Sequence, residues 1–154
     1  ENDDVREDAA RALGKLCEPQ AIPALVRVLI EDTDEDVRKV AAEALGNIPD
    51  PQSLEPLIRA TREGSWEVRK AAVQALGNIG NPKAVPHIIQ LTNEGDFMIR
   101  EEAKKSLRRL LETLPRFLIV HPDAVLTLPT SDIRAVQHLA RQYFQKRLRQ
   151  ALCD

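Results

Sequence analysis

Apolar positions in the first two thirds of the chain recur with helical spacing, and the same pattern returns four times. Aligned on Val5-Arg6, Val37-Arg38, Val68-Arg69 and Ile99-Arg100, the copies follow at steps of 32, 31 and 31 residues. Four residues after each Val or Ile stands Ala9, Ala41, Ala72 or Ala103. Eight after stands Leu13, Leu45, Leu76 or Leu107, and eleven after stands Leu16, Ile48, Ile79 or Leu110. Offsets 0, 4, 8 and 11 trace one face of an α-helix, and its alanines let another helix approach closely. Gly14, Gly46 and Gly77 follow the repeated Leu; the fourth copy has Arg108 there, and its helical pattern runs on to about Leu114. A repeat that departs from the pattern is expected near the end of an array.

A second phrase fills the gaps: EPQAIPALVRVL (18–29), DPQSLEPLIRAT (50–61) and NPKAVPHIIQLT (81–92). Each opens on an acidic residue or Asn followed by Pro19, Pro51 or Pro82, which reads as a turn entering a helix. A second proline, Pro23, Pro56 or Pro86, falls within about the first turn, where a missing N–H costs little. Each unit is therefore helix, turn, helix. A single pair cannot bury both apolar faces; stacked pairs can, and that is the physical reason for the repetition.

These phrases resemble HEAT repeats, in particular the short HEAT-like class of the phycobilin lyases, over roughly residues 3–114. The resemblance implies an all-α fold: a right-handed α-solenoid of about 3.5 helical-hairpin repeats. The divisions expected are a half repeat at 1–17, repeats at 18–49, 50–80 and 81–114, and a capping segment at 115–154. The chain begins without Met, inside a repeat, from which upstream residues are expected.

Pro115 is expected to end the last repeat helix. Residues 116–129 carry apolar Phe117, Leu118, Ile119, Val120, Val125, Leu126 and Leu128, broken by Pro122 and Pro129, and read as an irregular or short-helical segment packed on the open end of the stack. Residues 130–152 carry an amphipathic stripe through Ile133, Val136, Ala140, Phe144, Leu148 and Leu152, after a candidate N-cap at Thr130 or Ser131. The plain reading is a capping helix; the alternative is a partner-binding one. From 130 onward five basic side chains face two acidic ones, whereas residues 1–114 hold 16 basic and 21 acidic. A basic cap on an acidic solenoid is the simplest use of that asymmetry.

The net charge of −2 demands neither nucleic acid nor membrane as partner, and aromatics make up only 3% of the chain. No basic stripe is interleaved with aromatics, which argues against nucleic-acid binding. No apolar run approaches the roughly 20 residues of a membrane span. Cys17 and Cys153 have no metal or redox spacing, so a cytoplasmic setting is the plain reading. Cys17, after a core-pattern Leu, is expected to be a buried thiol. His87, His121 and His138 lie on separate elements. No catalytic or metal-binding motif is present, so no catalytic residue, metal or cofactor is assigned.

Offsets −2, +2, +6 and +10 point away from the core. They read Asp3, Glu7, Arg11, Lys15; Glu35, Lys39, Glu43, Asn47; Trp66, Lys70, Gln74, Asn78; and Phe97, Glu101, Lys105, Arg109. The HEAT resemblance implies that the second helices line the concave side. Trp66, the only Trp, and Phe97 share one offset in adjacent copies, with Met98 alongside. Such groups either anchor a partner or fold over the interhelix turn and fill a gap. The expected binding face comprises Trp66, Lys70, Gln74, Phe97, Met98, Glu101 and Lys105. Arg6, Arg38, Arg69 and Arg100, each near acidic residues, are expected to link neighbouring repeats rather than to bind anions.

Three functions fit this sequence. The first is a non-enzymatic scaffold that binds a protein or peptide. The second, implied by the resemblance to bilin lyases, is a lyase-like or chaperone-like factor that holds a tetrapyrrole or a phycobiliprotein. The third is the repeat region of a larger signalling or NTPase protein. Self-association through exposed solenoid ends is a further expectation.

Overall fold

A computed structural model describes residues 2–120, with side chains as far as Leu110. Seven α-helices follow in order: α1 (Asp3–Leu16), α2 (Ile22–Glu31), α3 (Glu35–Gly46), α4 (Leu54–Ala60), α5 (Trp66–Ile79), α6 (Val85–Leu91) and α7 (Phe97–Val120). Short 3₁₀ turns at Pro19–Ala21, Pro51–Ser53 and Pro82–Ala84 lead into α2, α4 and α6. There is no strand among the described residues, and no helix there is long and apolar enough to cross a membrane. The fold is an all-α solenoid of paired helices. Residues 1–110 form one compact unit, which closes within α7.

The repeated phrases place the helix starts. Three residues before each repeated Val or Ile stands a cap: Asn2, Asp34, Ser65 or Asp96. Each accepts a backbone N–H from the first turn, as Asp34 does from Asp36 and Val37 at 2.9 and 3.1 Å. Those N–H groups have no partner within the helix, so the caps fix where α1, α3, α5 and α7 begin. The acidic residue or Asn before Pro51 and Pro82 acts likewise: Asp50 accepts from Gln52 N–H at 2.8 Å and Asn81 from Lys83 N–H at 3.0 Å.

The core is the face read from offsets 0, 4 and 8. Val37, Ala41 and Leu45, Val68, Ala72 and Leu76, and Ile99, Ala103 and Leu107 are all buried. α3 and α5 each take cover from the first helix of their own pair, through Leu25 and Leu29 of α2 and Leu57 of α4; Ile88 and Leu91 of α6 are buried as well. Among the described residues α1 has no such first helix. Its Val5 and Leu16 are 59% and 65% exposed at positions that are buried in the next copy.

The repeated glycines set the spacing between copies. A Cβ on Gly14 would lie 2.7 Å from Ala44, one on Gly46 2.7 Å from Ala75, and one on Gly77 2.7 Å from Ser106. Each glycine thus seats the next second helix against bare backbone. Arg108, at the corresponding place in α7, is exposed.

Two expectations are corrected. Cys17 is exposed, not buried: it caps α1 in the left-handed conformation at φ 53°. Gly80 takes that conformation at the end of α5, φ 72°, so the position belongs to the turn and not to the core. Pro115 does not end α7, which continues to Val120. A proline inside a helix removes one hydrogen bond and strains the turn before it, a cost of about 3 kcal/mol that need not stop the helix. The capping segment expected beyond residue 120 lies outside the described residues.

Candidate functional site

Trp66 is the first residue of α5 and Phe97 the first of α7, each directly after its cap. A residue there has no preceding helical turn to lie upon, so its side chain projects at the helix end. Trp66 is 47% exposed, Phe97 62% and Met98 41%. The Arg100 guanidinium lies 5.6 Å from the centre of the Phe97 ring, a cation–π contact that steadies the ring.

Between α3 and α5 runs a cleft of about 220 Å³, lined by Lys39, Glu43, Trp66, Lys70 and Gln74 among others. Trp66, Lys70 and Gln74 are therefore brought together. Lys39 and Glu43 join them from the preceding repeat, at offsets +2 and +6 of its second helix; that shared helical face was the signal for them. Phe97, Met98, Glu101 and Lys105 belong to α7 and do not line this cleft. Glu101 accepts from Lys104 at 2.7 Å, which holds its carboxyl below the usual range. Lys105 is exposed, 3.7 Å from Glu102.

Two polar residues of α7 escape a reading of the periodicity. Glu102 is buried where the earlier copies place Val40 and Ala71, and faces Lys105 and Arg109 at 3.7 and 3.9 Å. Ser106 is buried where they place Ala44 and Ala75, and its hydroxyl donates to the Val73 carbonyl at 2.9 Å. For Ser106 the only sequence signal was a polar residue at a position that is alanine in the other copies; the Glu102 position is acidic in the first copy too, as the exposed Asp8.

The four arginines do two jobs. Arg6 forks onto Asp32 through Nε and Nη2 at 2.8 and 3.0 Å, and Arg69 reaches Glu94 at 3.0 Å; both bonds span neighbouring repeats. Arg38 and Arg100 donate instead to the carbonyls of Asp32 and Glu94, at 2.7 and 2.9 Å, inside their own turns. Asp32 and Glu94 are thus held twice, by side chain from one repeat and by backbone from the next. The Arg6 guanidinium holds the Asp32 carboxyl below its usual range.

At the end of α4, Thr61 is buried and its hydroxyl donates to the Ile58 carbonyl at 2.7 Å. A hydroxyl has one hydrogen, so His87 Nε2–H is the donor in the 2.8 Å bond to Thr61 Oγ1. His87 Nδ1 then accepts from Arg62 Nη2 at 3.3 Å. Burial, and then the Arg62 charge, push the imidazole below its ordinary pKa. The sequence alone gave no sign of this pairing, because Thr61 and His87 lie 26 residues apart.

Comparison with solved structures finds the same architecture. The complex of CpcE and CpcF of phycocyanin lyase from Nostoc sp. PCC7120 is similar at a TM-score of 0.63, with 24% identity over 88% of this chain and 57% of that one. A designed armadillo repeat protein is similar at 0.50, with 25% identity over 71% of this chain and 59% of that one. An engineered protein is similar at 0.54, with 26% identity over 92% of this chain and 44% of that one. The chain thus spans less than two thirds of the length of each. Curated protein sequences give no match. The sequence pattern of HEAT repeats matches residues 1–65 and again 56–120. By that match over most of its length, the chain belongs to the HEAT-repeat family.

Proposed function

We propose that the chain is a scaffold that binds a protein or peptide across the face of its second helices. The anchors are Trp66, Phe97 and Met98, and the polar frame is Gln74 with the charged Lys70, Glu101 and Lys105. The observation that carries this reading is the exposure of two aromatic rings at the same offset in successive repeats. Exposed large apolar groups in register form a surface that gains by being covered, and Trp is enriched among the residues that dominate binding energies. The charged residues around them would fix orientation more than affinity. The cleft beside Trp66, about 220 Å³, is smaller than the roughly 300–1,000 Å³ of a typical small-molecule site. Its size favours a partner's side chain over a tetrapyrrole.

The test is selection of peptides from a displayed library against the whole chain, followed by binding to Trp66→Ala and Phe97→Ala. The reading expects selected peptides to shift Trp66 emission and to lose at least tenfold in affinity with either variant, while melting temperature stays nearly unchanged. Unchanged affinity together with a large drop in melting temperature would make the rings structural and overturn it. A bilin that binds with a shifted visible band, and loses that band in Trp66→Ala, would favour the tetrapyrrole reading instead.

A further inference from the structure

The arginine bridges between repeats are present at two junctions and missing at one. Asp32, Glu63 and Glu94 hold equivalent places, five residues before Val37, Val68 and Ile99. Arg6 takes Asp32 and Arg69 takes Glu94. By the same rule Arg38 should take Glu63, and it does not. Glu63 turns back onto Arg59 at 3.0 and 3.2 Å, in a pair whose two side chains are each 62% exposed. Arg38 is held by the Asp32 carbonyl through Nη1 and by the exposed Glu35 through Nη2 at 3.2 Å.

An open cleft of about 230 Å³ occupies the place of the missing bridge. Arg38, Arg59 and Glu63 contribute its polar atoms, and Leu29, Ile30 and Val68 are among its apolar lining. Ile30 is half exposed, and Gly64 turns the chain at φ 102°.

We propose that this cleft receives an acidic side chain of a partner protein, next to an aliphatic residue that covers Ile30. The carboxylate would sit on Arg38 as Asp32 sits on Arg6. Arg38 is already oriented, because the Asp32 carbonyl fixes one arm of its fork. The other arm holds only an exposed pair three residues away on the same helix, and such pairs exchange at little cost. A planar guanidinium bonds a carboxylate through two parallel hydrogen bonds, which gives direction as well as strength. Glu63 does not repel the newcomer strongly, since Arg59 neutralises it. The neighbouring acids arrive as side chains from a continuous turn, so the occupant is a side chain and not a chain terminus. This inference does not depend on the surface formed by Trp66 and Phe97.

The test titrates the ¹⁵N-labelled chain with acetyl-Leu-Glu-Leu-amide, with its Gln counterpart, and with acetyl-Leu-Leu bearing a free carboxylate. The Glu peptide is expected to shift the amides of Ile30, Gly64 and Val68. The Gln peptide and the free-carboxylate peptide should bind at least tenfold more weakly. Arg38→Gln and Arg38→Lys should each lose at least tenfold for the Glu peptide, and Glu63→Gln should keep or tighten binding. Phe97→Ala should leave it unchanged, which separates this site from the ring surface. Absence of those shifts, equal binding of the Gln peptide, or preference for the free carboxylate would overturn the proposal. So would weaker binding in Phe97→Ala. A fall in melting temperature in Glu63→Gln as large as that in Arg38→Gln would show that Glu63 closes the bridge itself, and would overturn it too.

Discussion

Gly46 and Ala75 bring two successive second helices into backbone contact: a Cβ on Gly46 would lie 2.7 Å from the Ala75 Cα. Alanine is the better helix former, by about 1 kcal/mol. Here the steric term wins, because the obstacle is backbone and cannot rotate away. Gly46→Ala should destabilise the chain by about 1–3 kcal/mol. Gly95, around which a Cβ would meet nothing within 4 Å, is the control; Gly95→Ala should stay within about 0.5 kcal/mol. Urea unfolding of the two variants checks this, and equal effects would refute the contact.

Arg6 and Asp32 tie the first repeat to the second, and the tie depends on ionised Asp32. The arginine's hydrogen bond holds the carboxyl below its ordinary value of 3.8, against the opposing effect of burial. A carboxyl whose folded pKa is depressed stabilises above its unfolded value and loses that contribution as pH falls through the folded value. The melting-temperature gap between wild type and Asp32→Asn should therefore be constant from about pH 5 to 7 and shrink below about pH 4. A gap that persists at pH 2 would mean that packing of Asp32, not its charge, sets the effect.

The fold was legible because one chain carries four copies of one instruction. Val37, Val68 and Ile99 are buried for the reason their spacing implies, and the N-caps at Asp34, Ser65 and Asp96 follow at a constant distance. That Trp66 and Phe97 lie off the core face follows from the same count; that the rings stay exposed instead of folding over the turn does not. What depends on side-chain rotation was not legible. Glu63 has the right position to bridge to Arg38 and takes Arg59 instead, a choice that no periodicity encodes. Cys17 looked like core because it follows a core-pattern Leu, yet the turn claims it. Pro115 lies within α7 and not at its end, since one proline's local penalty need not stop a helix.

Ser53 is fully buried, and among the described residues its hydroxyl is the one buried side-chain polar atom without a hydrogen-bond partner. The other repeats place Ala21 and Ala84 at that point, both buried. An unpaired buried hydroxyl costs about 1–3 kcal/mol, whereas the methyl group of alanine costs nothing there. Ser53→Ala should leave the fold unchanged and raise stability by up to about 1 kcal/mol. A loss of stability in urea unfolding would show that the hydroxyl has a partner in solution, such as a bound water.

His87 links α6 to the end of α4 while neutral, donating to Thr61 and accepting from Arg62. A proton on Nδ1 would remove the acceptor and face the Arg62 charge. Burial and Arg62 both lower its pKa from 6.5, and Glu55 raises it by less. A base with a lowered folded pKa binds fewer protons when folded than when unfolded. Its stabilising contribution is therefore complete above about pH 6.5 and declines as pH falls below that value. Gln at position 87 can keep a donor and an acceptor but does not titrate. Between pH 7.5 and pH 5 the wild-type melting temperature should fall further than that of His87→Gln. His121 and His138 are present in both proteins and cancel in the comparison. Parallel curves would show that His87 titrates the same folded and unfolded, and that the bond it accepts from Arg62 carries no net preference for the neutral ring.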